Sequence, residues 1–166
     1  MASSIRTLKY PLINRYSRQI FDVSINQISV RFMYDSGARI PVWCSGEKKF
    51  LSAFPKAICL PEKCRISGFG KGDELSDVFM IPRFELESDD GVFVIERLIV
   101  AMMTKPQIGS DFIISETMLS KVDSITYRRE LKELHLIGEE KPFRCTAMKN
   151  GKEIIDISIW SQDSYV

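Results

Sequence analysis

The sequence predicts an all-β fold with one short helix, in a single domain covering residues 1–166. Apolar residues recur at every second position in short runs, which is the pattern of half-buried strands. Glycine, proline, asparagine and aspartate separate these runs and mark turns. We find no internal repeat, low-complexity tract or flexible linker that would divide the chain, and its length is sufficient for one hydrophobic core.

The first strands lead to an acidic residue. Apolar residues alternate in residues 21–25 and again, in a shifted register, in residues 28–32. The shift at Asn26-Gln27 predicts a turn or a bulge, so this stretch is either two strands or one bent strand. In both cases an apolar segment ends at Tyr34-Asp35.

Further strands follow from the same pattern. They are expected in residues 40–43, 56–60, 78–81, 84–86, 92–95 and 98–103. The last of these is apolar throughout, which favours a central strand that is buried on both faces. The short helix is expected in residues 112–119, directly after Gly109-Ser110-Asp111.

The C-terminal part is less distinct. Residues 124–137 fit a helix in some positions and strands in others. Asn150-Gly151 is a turn signal, and isoleucines alternate behind it in residues 155–159. We therefore expect a C-terminal β-hairpin.

Composition limits the classes of partner. The formal net charge is +1, with 45% hydrophobic and 27% charged residues, which gives no drive toward nucleic acid or an anionic membrane. No segment reaches the roughly 18 apolar residues of a membrane span, and the N-terminus lacks the pattern of a signal peptide. We expect a cytoplasmic protein that binds neither nucleic acid nor membrane.

The cysteines do not predict a metal site. The four cysteines form no CxxC pair, and the chain has one histidine, His135. Free, mostly buried thiols are the simplest interpretation. Cys44 paired with His135 as a nucleophile matches no local signature known to us, and His135 is more simply a surface or interface residue. No metal or organic cofactor is expected.

Three motifs occur in a defined order. An apolar strand ends in Asp35-Ser36-Gly37-Ala38. A glycine-rich segment, Ile66-Ser-Gly-Phe-Gly-Lys-Gly72, follows about thirty residues later. A buried strand then leads to Gln107-Ile-Gly-Ser-Asp-Phe-Ile113. The glycine-rich segment lacks the patterns of a phosphate-binding or dinucleotide-binding loop.

This order resembles the retropepsins, the single-domain aspartic proteases of retroviruses and their cellular and bacterial relatives. The resemblance covers residues 20–122 and leaves residues 123–166 as a C-terminal strand and hairpin extension. It implies a closed β-barrel with a flap hairpin, acting as a homodimeric aspartic endopeptidase on peptide or protein substrates. Each subunit would contribute Asp35, because hydrolysis needs two carboxylates and the chain has one such motif.

The resemblance also implies roles for the neighbouring residues. Ser36, Gly37 and Ala38 would support the loop that carries Asp35. The flap would contact substrate through Ile66, Gly68, Phe69 and Gly70, and its glycines would allow it to close. Gly109 would support the helix motif.

Two residues depart from the family pattern. Arg39 stands where retroviral enzymes often have an acidic residue, which bears on substrate charge preference. Ser110 replaces an arginine that commonly pairs across the dimer.

Two alternatives remain open. Asp35 could be a turn residue of an unrelated β-protein, because Asp, Ser and Gly are common in turns. The same fold could also serve as a non-catalytic binding or scaffold module.

Overall fold

The computed structural model describes residues 5–15, 18–35, 40–66, 74–103, 109–115, 118, 124–128, 131–139, 143–144, 147–149 and 152–154. It contains one short helix, α1 (Glu47–Ala53), within these residues. The strands are β1 (Ile5–Pro11), β2 (Ile13–Arg15), β3 (Arg18–Ile25), β4 (Ile28–Asp35), β5 (Val42–Trp43), β6 (Ile58–Ile66), β7 (Glu74–Ser88), β8 (Gly91–Met102), β9 (Phe112–Ser115), β10 (Ser124–Arg128), β11 (Glu133–Glu139), β12 (Phe143–Arg144), β13 (Ala147–Lys149) and β14 (Lys152–Ile154).

The described strands form one large sheet and two small ones. The nine-stranded main sheet has the order β2-β3-β4-β9-β5-β8-β7-β6, and β12 pairs with β8 beside it. A three-stranded sheet has the order β1-β11-β10, and β13 pairs with β14. The predicted all-β class is confirmed. A C-terminal hairpin is present as β13 and β14, whereas residues 155–159, the expected second arm, lie outside the described residues. The described pairings leave β2 and β6 as the two ends of the main sheet, so closure of a barrel stays a prediction.

Of the two structures predicted at Asn26-Gln27, a turn or a bulge, the turn is the one present. These two residues join β3 to β4 and have positive φ values of 50° and 65°, which suit a tight hairpin turn. The Asn26 side-chain amide donates a hydrogen bond to the Ser52 carbonyl at 3.0 Å, so the turn is tied to α1.

The helix lies at a different place from the one predicted. Residues 112–115 form the strand β9, because their apolar side chains are buried on both faces of the main sheet. Residues 116–117 and 119 of the expected helix lie outside the described residues. The helix α1 instead begins after Gly46 and buries Phe50 and Ala53, a spacing of three residues that is typical of one helical face.

The main sheet is apolar on both faces, and each face has its own core. Neighbouring residues of a strand point to opposite faces, so Phe112 joins one core and Ile113 the other. The larger core is aromatic: Phe32 lies 5.4 Å from Phe21 and 5.5 Å from Phe112, measured between ring centroids. The smaller core is aliphatic and includes Ile40, Val42, Val78 and Ile99.

The long hairpin of β7 and β8 reverses its faces at Pro82 and Arg97. On β7 the larger core takes Phe79 and Ile81 before this point and Phe84 and Leu86 after it. A regular strand would expose the second pair, since alternate residues share a face. Arg97 has φ of 58°, which marks the irregularity on β8, and Pro82 has no N–H for the ladder.

We expect Phe32→Ala to lower the free energy of unfolding by about 3–5 kcal/mol, because it removes a fully buried ring and leaves a cavity. Leu75 is 59% exposed, so Leu75→Ala should change it by less than about 0.5 kcal/mol. Urea unfolding of both variants measures the difference. Equal midpoints for the two variants would contradict this description of the core.

Candidate active site

Asp35 is the last residue of β4, which lies between β3 and β9. Along β4, Val30 and Phe32 are fully buried, whereas Asp35 is half-buried. β4 pairs antiparallel with β3 and parallel with β9. The carboxylate therefore lies where a strand held on both sides leaves the core.

The chain returns to the core directly after the Asp35 loop. Ile40 and Val42 are fully buried, and β5 inserts between β9 and β8. The Pro41 carbonyl accepts a hydrogen bond from the Ala101 N–H at 3.0 Å. Both ends of the loop are thus fixed by the sheet. The predicted support residues Ser36, Gly37 and Ala38, and also Arg39, lie outside the described residues.

Ser115 is the residue opposite Asp35 in the parallel pair. It is fully buried, and its Oγ accepts a hydrogen bond from the Met118 N–H at 3.0 Å, which gives the buried hydroxyl a partner. Sequence reasoning missed Ser115. The sequence does contain one indication: Ser115 directly follows the apolar run Phe112–Ile114, just as Asp35 follows the apolar segment of β4.

Gly109, the glycine predicted to support a helix, precedes β9 instead. Its φ of 109° favours glycine, and nothing lies within 4 Å of an added Cβ. The backbone conformation, rather than close packing, therefore explains a glycine at this position. Its role in the site stays a prediction.

The hairpin expected at the glycine-rich segment is present. β6 and β7 pair antiparallel out to Ile66 and Glu74, and residues 67–73 between them, including Gly68, Phe69 and Gly70, lie outside the described residues. Cys64 and Val78, on the two arms, share the smaller core with Ile40. The hairpin therefore packs on the segment that follows the Asp35 loop.

Asp111 joins three segments beside this site. Its Oδ2 accepts hydrogen bonds from the Arg31 N–H at 2.8 Å and from Lys49 Nζ at 2.9 Å, and its Oδ1 accepts one from Ser45 Oγ at 2.5 Å. The Asp111 backbone N–H donates to the Arg31 carbonyl at 2.8 Å, and its carbonyl accepts from the Cys44 N–H at 2.7 Å. One residue thus connects β4, the start of β9 and the segment leading into α1.

These contacts set the charge state of Asp111. Burial alone would raise the pKa of its carboxyl group, but hydrogen bonds from Ser45, Arg31 and Lys49, with the Lys49 charge, hold that pKa below its usual value. The carboxylate is therefore an ionised structural connector at neutral pH. Sequence reasoning included Asp111 in a motif without assigning it this role.

The described thiols and the histidine do not form a nucleophilic pair. Burial, followed by the Asp111 charge, raises the pKa of Cys44 to about 12, so its thiol stays protonated and unreactive. His135, predicted to be a surface or interface residue, is only 7% exposed, and its Nε2 lies 3.2 Å from Glu133 Oε1 in β11. The prediction of a surface residue was wrong: His135 lies in the central strand of the three-stranded sheet, between Lys9 of β1 and Thr126 of β10.

The described part of the chain has neither a candidate metal-binding cluster nor a candidate membrane-spanning helix. Its histidine, cysteine and acidic side chains do not gather in any group of three or more that could hold a metal ion. No helix in the same ranges has the length and apolar character to span a membrane.

Comparison with known proteins supports the fold. No family model matches the sequence, and no curated protein matches it either. Among solved structures, the chain is similar to the crystal structure of a retropepsin-like aspartic protease from Rickettsia conorii, with a TM-score of 0.57 and 11% sequence identity. The match covers 82% of this chain and 94% of that one. The chain therefore has a retropepsin-like all-β fold.

We expect Asp111→Asn to lower the free energy of unfolding at pH 7 by about 1–3 kcal/mol, because a charged acceptor of three hydrogen bonds is lost. The folded-state pKa is lowered, so the carboxylate stabilises the fold above the unfolded value of about 3.9 and loses this effect as pH falls through the folded value. The difference between wild type and variant should shrink below about pH 4.

Chemical unfolding across this pH range tests that prediction. Asp77→Asn is the matched control, because Asp77 pairs with Lys63 on an exposed surface, where an ion pair contributes roughly 0–1 kcal/mol. A difference between wild type and Asp111→Asn that stays constant down to pH 2 would contradict the ionised connector.

We expect native alkylation with iodoacetamide to modify Cys59 well before Cys44 and Cys64, because Cys59 is exposed and the other two are buried. Peptide mass spectrometry over time identifies the order. Rapid labelling of Cys44 in the folded protein would revive the cysteine-nucleophile alternative.

Proposed function

We propose that the protein is an aspartic endopeptidase that acts as a homodimer, with Asp35 of each subunit forming the catalytic pair. One observation carries this proposal: Asp35 ends a strand that is paired on both sides and anchored by the buried Val30 and Phe32, in a retropepsin-like fold. The catalytic pair needs a second carboxylate. Among the described residues, no other acidic residue ends a strand of the main sheet in the way that Asp35 ends β4, so in the proposal Asp35 of a second copy supplies it.

The chemistry requires two carboxyl groups in different protonation states. The ionised group takes a proton from a water molecule, and the water oxygen attacks the scissile carbonyl carbon. The protonated group donates its proton to the carbonyl oxygen, which gives a neutral tetrahedral intermediate. Cleavage of the C–N bond then transfers a proton to the leaving amine. Two carboxylates this close share one proton, because ionising both is costly.

Several features of this chain support the arrangement. The Asp35 loop is fixed at both ends, which limits the positions open to the carboxylate. In the proposal, Ser36, Gly37 and Ala38 orient that carboxylate, and Gly109 supports the segment before β9. The β6–β7 hairpin would close over an extended peptide through Ile66, Gly68, Phe69 and Gly70.

We expect Asp35→Asn to lower the rate of peptide cleavage by about 10²–10⁴-fold while the protein stays folded and dimeric, because asparagine can neither accept the water proton nor share one. Asp89→Asn is the control, since Asp89 lies in the exposed β7–β8 turn. A pooled peptide library, assayed from acidic to neutral pH, provides the substrates, and sedimentation gives the oligomeric state.

A mixing experiment tests whether the site is shared. Adding Asp35→Asn protein to wild type under exchange conditions should reduce activity beyond simple dilution, because each mixed dimer lacks one of the two groups. Activity proportional to the wild-type concentration alone would contradict a shared pair. A wild-type dimer without cleavage would favour the non-catalytic binding module, and a strict monomer would exclude the shared site.

A further inference from the structure

A pocket of about 340 Å³ lies at the opposite end of β4 from Asp35. Ser24, Ile25 and Asn26, at the tip of the β3–β4 hairpin, form one wall, and β7 forms another. The length of β4 separates this pocket from Asp35 by roughly 20 Å. The proposed catalytic chemistry therefore does not use it.

The strand walls of this pocket have unpaired backbone edges among the described residues. On β7, pairing with β6 stops at Met80, so Arg83–Glu87 has β8 on one side only; we call this stretch the β7 edge. On β3, pairing with β2 is confined to residues 18–20, so Ser24 and Ile25 pair only with β4. The gap lies between two strands that each lack a neighbour.

In an antiparallel pair, the N–H and C=O groups of successive residues point alternately toward the partner strand and away from it. Ser88 and Gly91 are paired across the two-residue turn, so their backbone groups face each other. Alternation then directs the N–H and C=O groups of Glu87 and Glu85 away from β8, toward the pocket that both residues line. Such an edge is a template for an additional strand.

The floor of the pocket is apolar. Ala53, Phe54 and Ile81 line it and are at most 6% exposed. A strand placed along the β7 edge would present alternate side chains to this floor and the others to solvent. Apolar side chains suit the first set.

The charge beside the β7 edge is mainly negative. Glu87, Asp89 and Asp90 make no ion pair within the described residues, whereas Glu85 is paired with Arg83 at 2.8 Å. Lys56 is the other cation of the rim.

The buried Tyr10 hydroxyl has no hydrogen-bond partner in the described structure, and burial, with the charges of Glu87 and Asp90, raises its pKa.

We propose that this pocket is a second, non-catalytic docking site, where an extended basic segment of another protein pairs with the β7 edge. Its backbone would bond to Glu85 and Glu87, its lysine or arginine side chains would face the carboxylates, and its apolar side chains would fill the pocket. A second copy of the chain fits less well, because two acidic edges placed side by side repel each other.

The test uses a fluorescent peptide that alternates lysine with valine, and the full chain carrying Asp35→Asn so that hydrolysis cannot consume the probe. We expect the peptide to bind saturably. The double variant Glu85→Lys with Glu87→Lys should lower its affinity at least tenfold. The control, Glu47→Lys with Glu62→Lys, changes the net charge equally at two other exposed positions and should leave affinity within about twofold. Circular dichroism checks folding, and glutamine variants replace the lysine ones if these unfold.

Amide hydrogen exchange and N-methylation of the peptide test the backbone pairing separately. The Glu85 and Glu87 amides should exchange with solvent at least tenfold more slowly in the complex, and N-methylation of alternate peptide amides should abolish binding, because a methylated amide cannot donate. Absence of saturable binding, equal loss in the two charge variants, or no change in amide exchange would overturn the proposal. A peptide bound at Asp35 instead would be insensitive to Glu85 and Glu87. None of these outcomes depends on catalysis, so the proposed peptidase function can fail or stand separately.

Discussion

The parallel pairing of β4 with β9 is the constraint on which the rest of the structure depends. These strands are distant in sequence, and a parallel pair needs a long connection that costs chain entropy before any contact forms. Phe32 and Phe112 face each other in that pair and share the aromatic core. Asp111 adds hydrogen bonds from its side chain and backbone to Arg31. Together these interactions hold the strand that ends in Asp35.

A sheet with a core on each face can present a rigid strand end and still leave surfaces for binding. The aromatic core fixes β4 from one side, and the aliphatic core joins the β6–β7 hairpin to the chain beyond the Asp35 loop. The end of β4 at Asp35 is therefore backed by a packed sheet. The proposed catalytic role of Asp35 needs such support, because small displacements of a catalytic group are costly in rate.

Sequence patterns predicted the parts of the fold that depend on local periodicity. The β3–β4 hairpin, the central part of β8, the hairpin at the glycine-rich segment and the end of β4 at Asp35 all follow from alternation and turn residues. β9 was misassigned because a strand buried on both faces has a continuous apolar run, which periodicity cannot distinguish from a helix. Helix α1 was missed because it is short and has few apolar residues. The roles of Asp111 and Ser115 depend on partners far along the chain, which a single sequence does not reveal.

The three-stranded sheet joins the first described strand to one late in the chain, since Ile5 pairs with Glu139 and Pro11 with Glu133. β1 precedes β11 by most of the sequence, so its partner in the described structure becomes available only after β11 has left the ribosome. Leu8 and Tyr10 are core residues on β1, and Tyr10 packs on Phe21 of β3 with 4.6 Å between ring centroids, but among the described strands the backbone ladder of β1 forms only with β11. Such non-local pairing slows folding and exposes the nascent chain to aggregation or chaperone binding. The ladder that holds β1 therefore depends on residues of β11, which are synthesised long after the strand that carries Asp35.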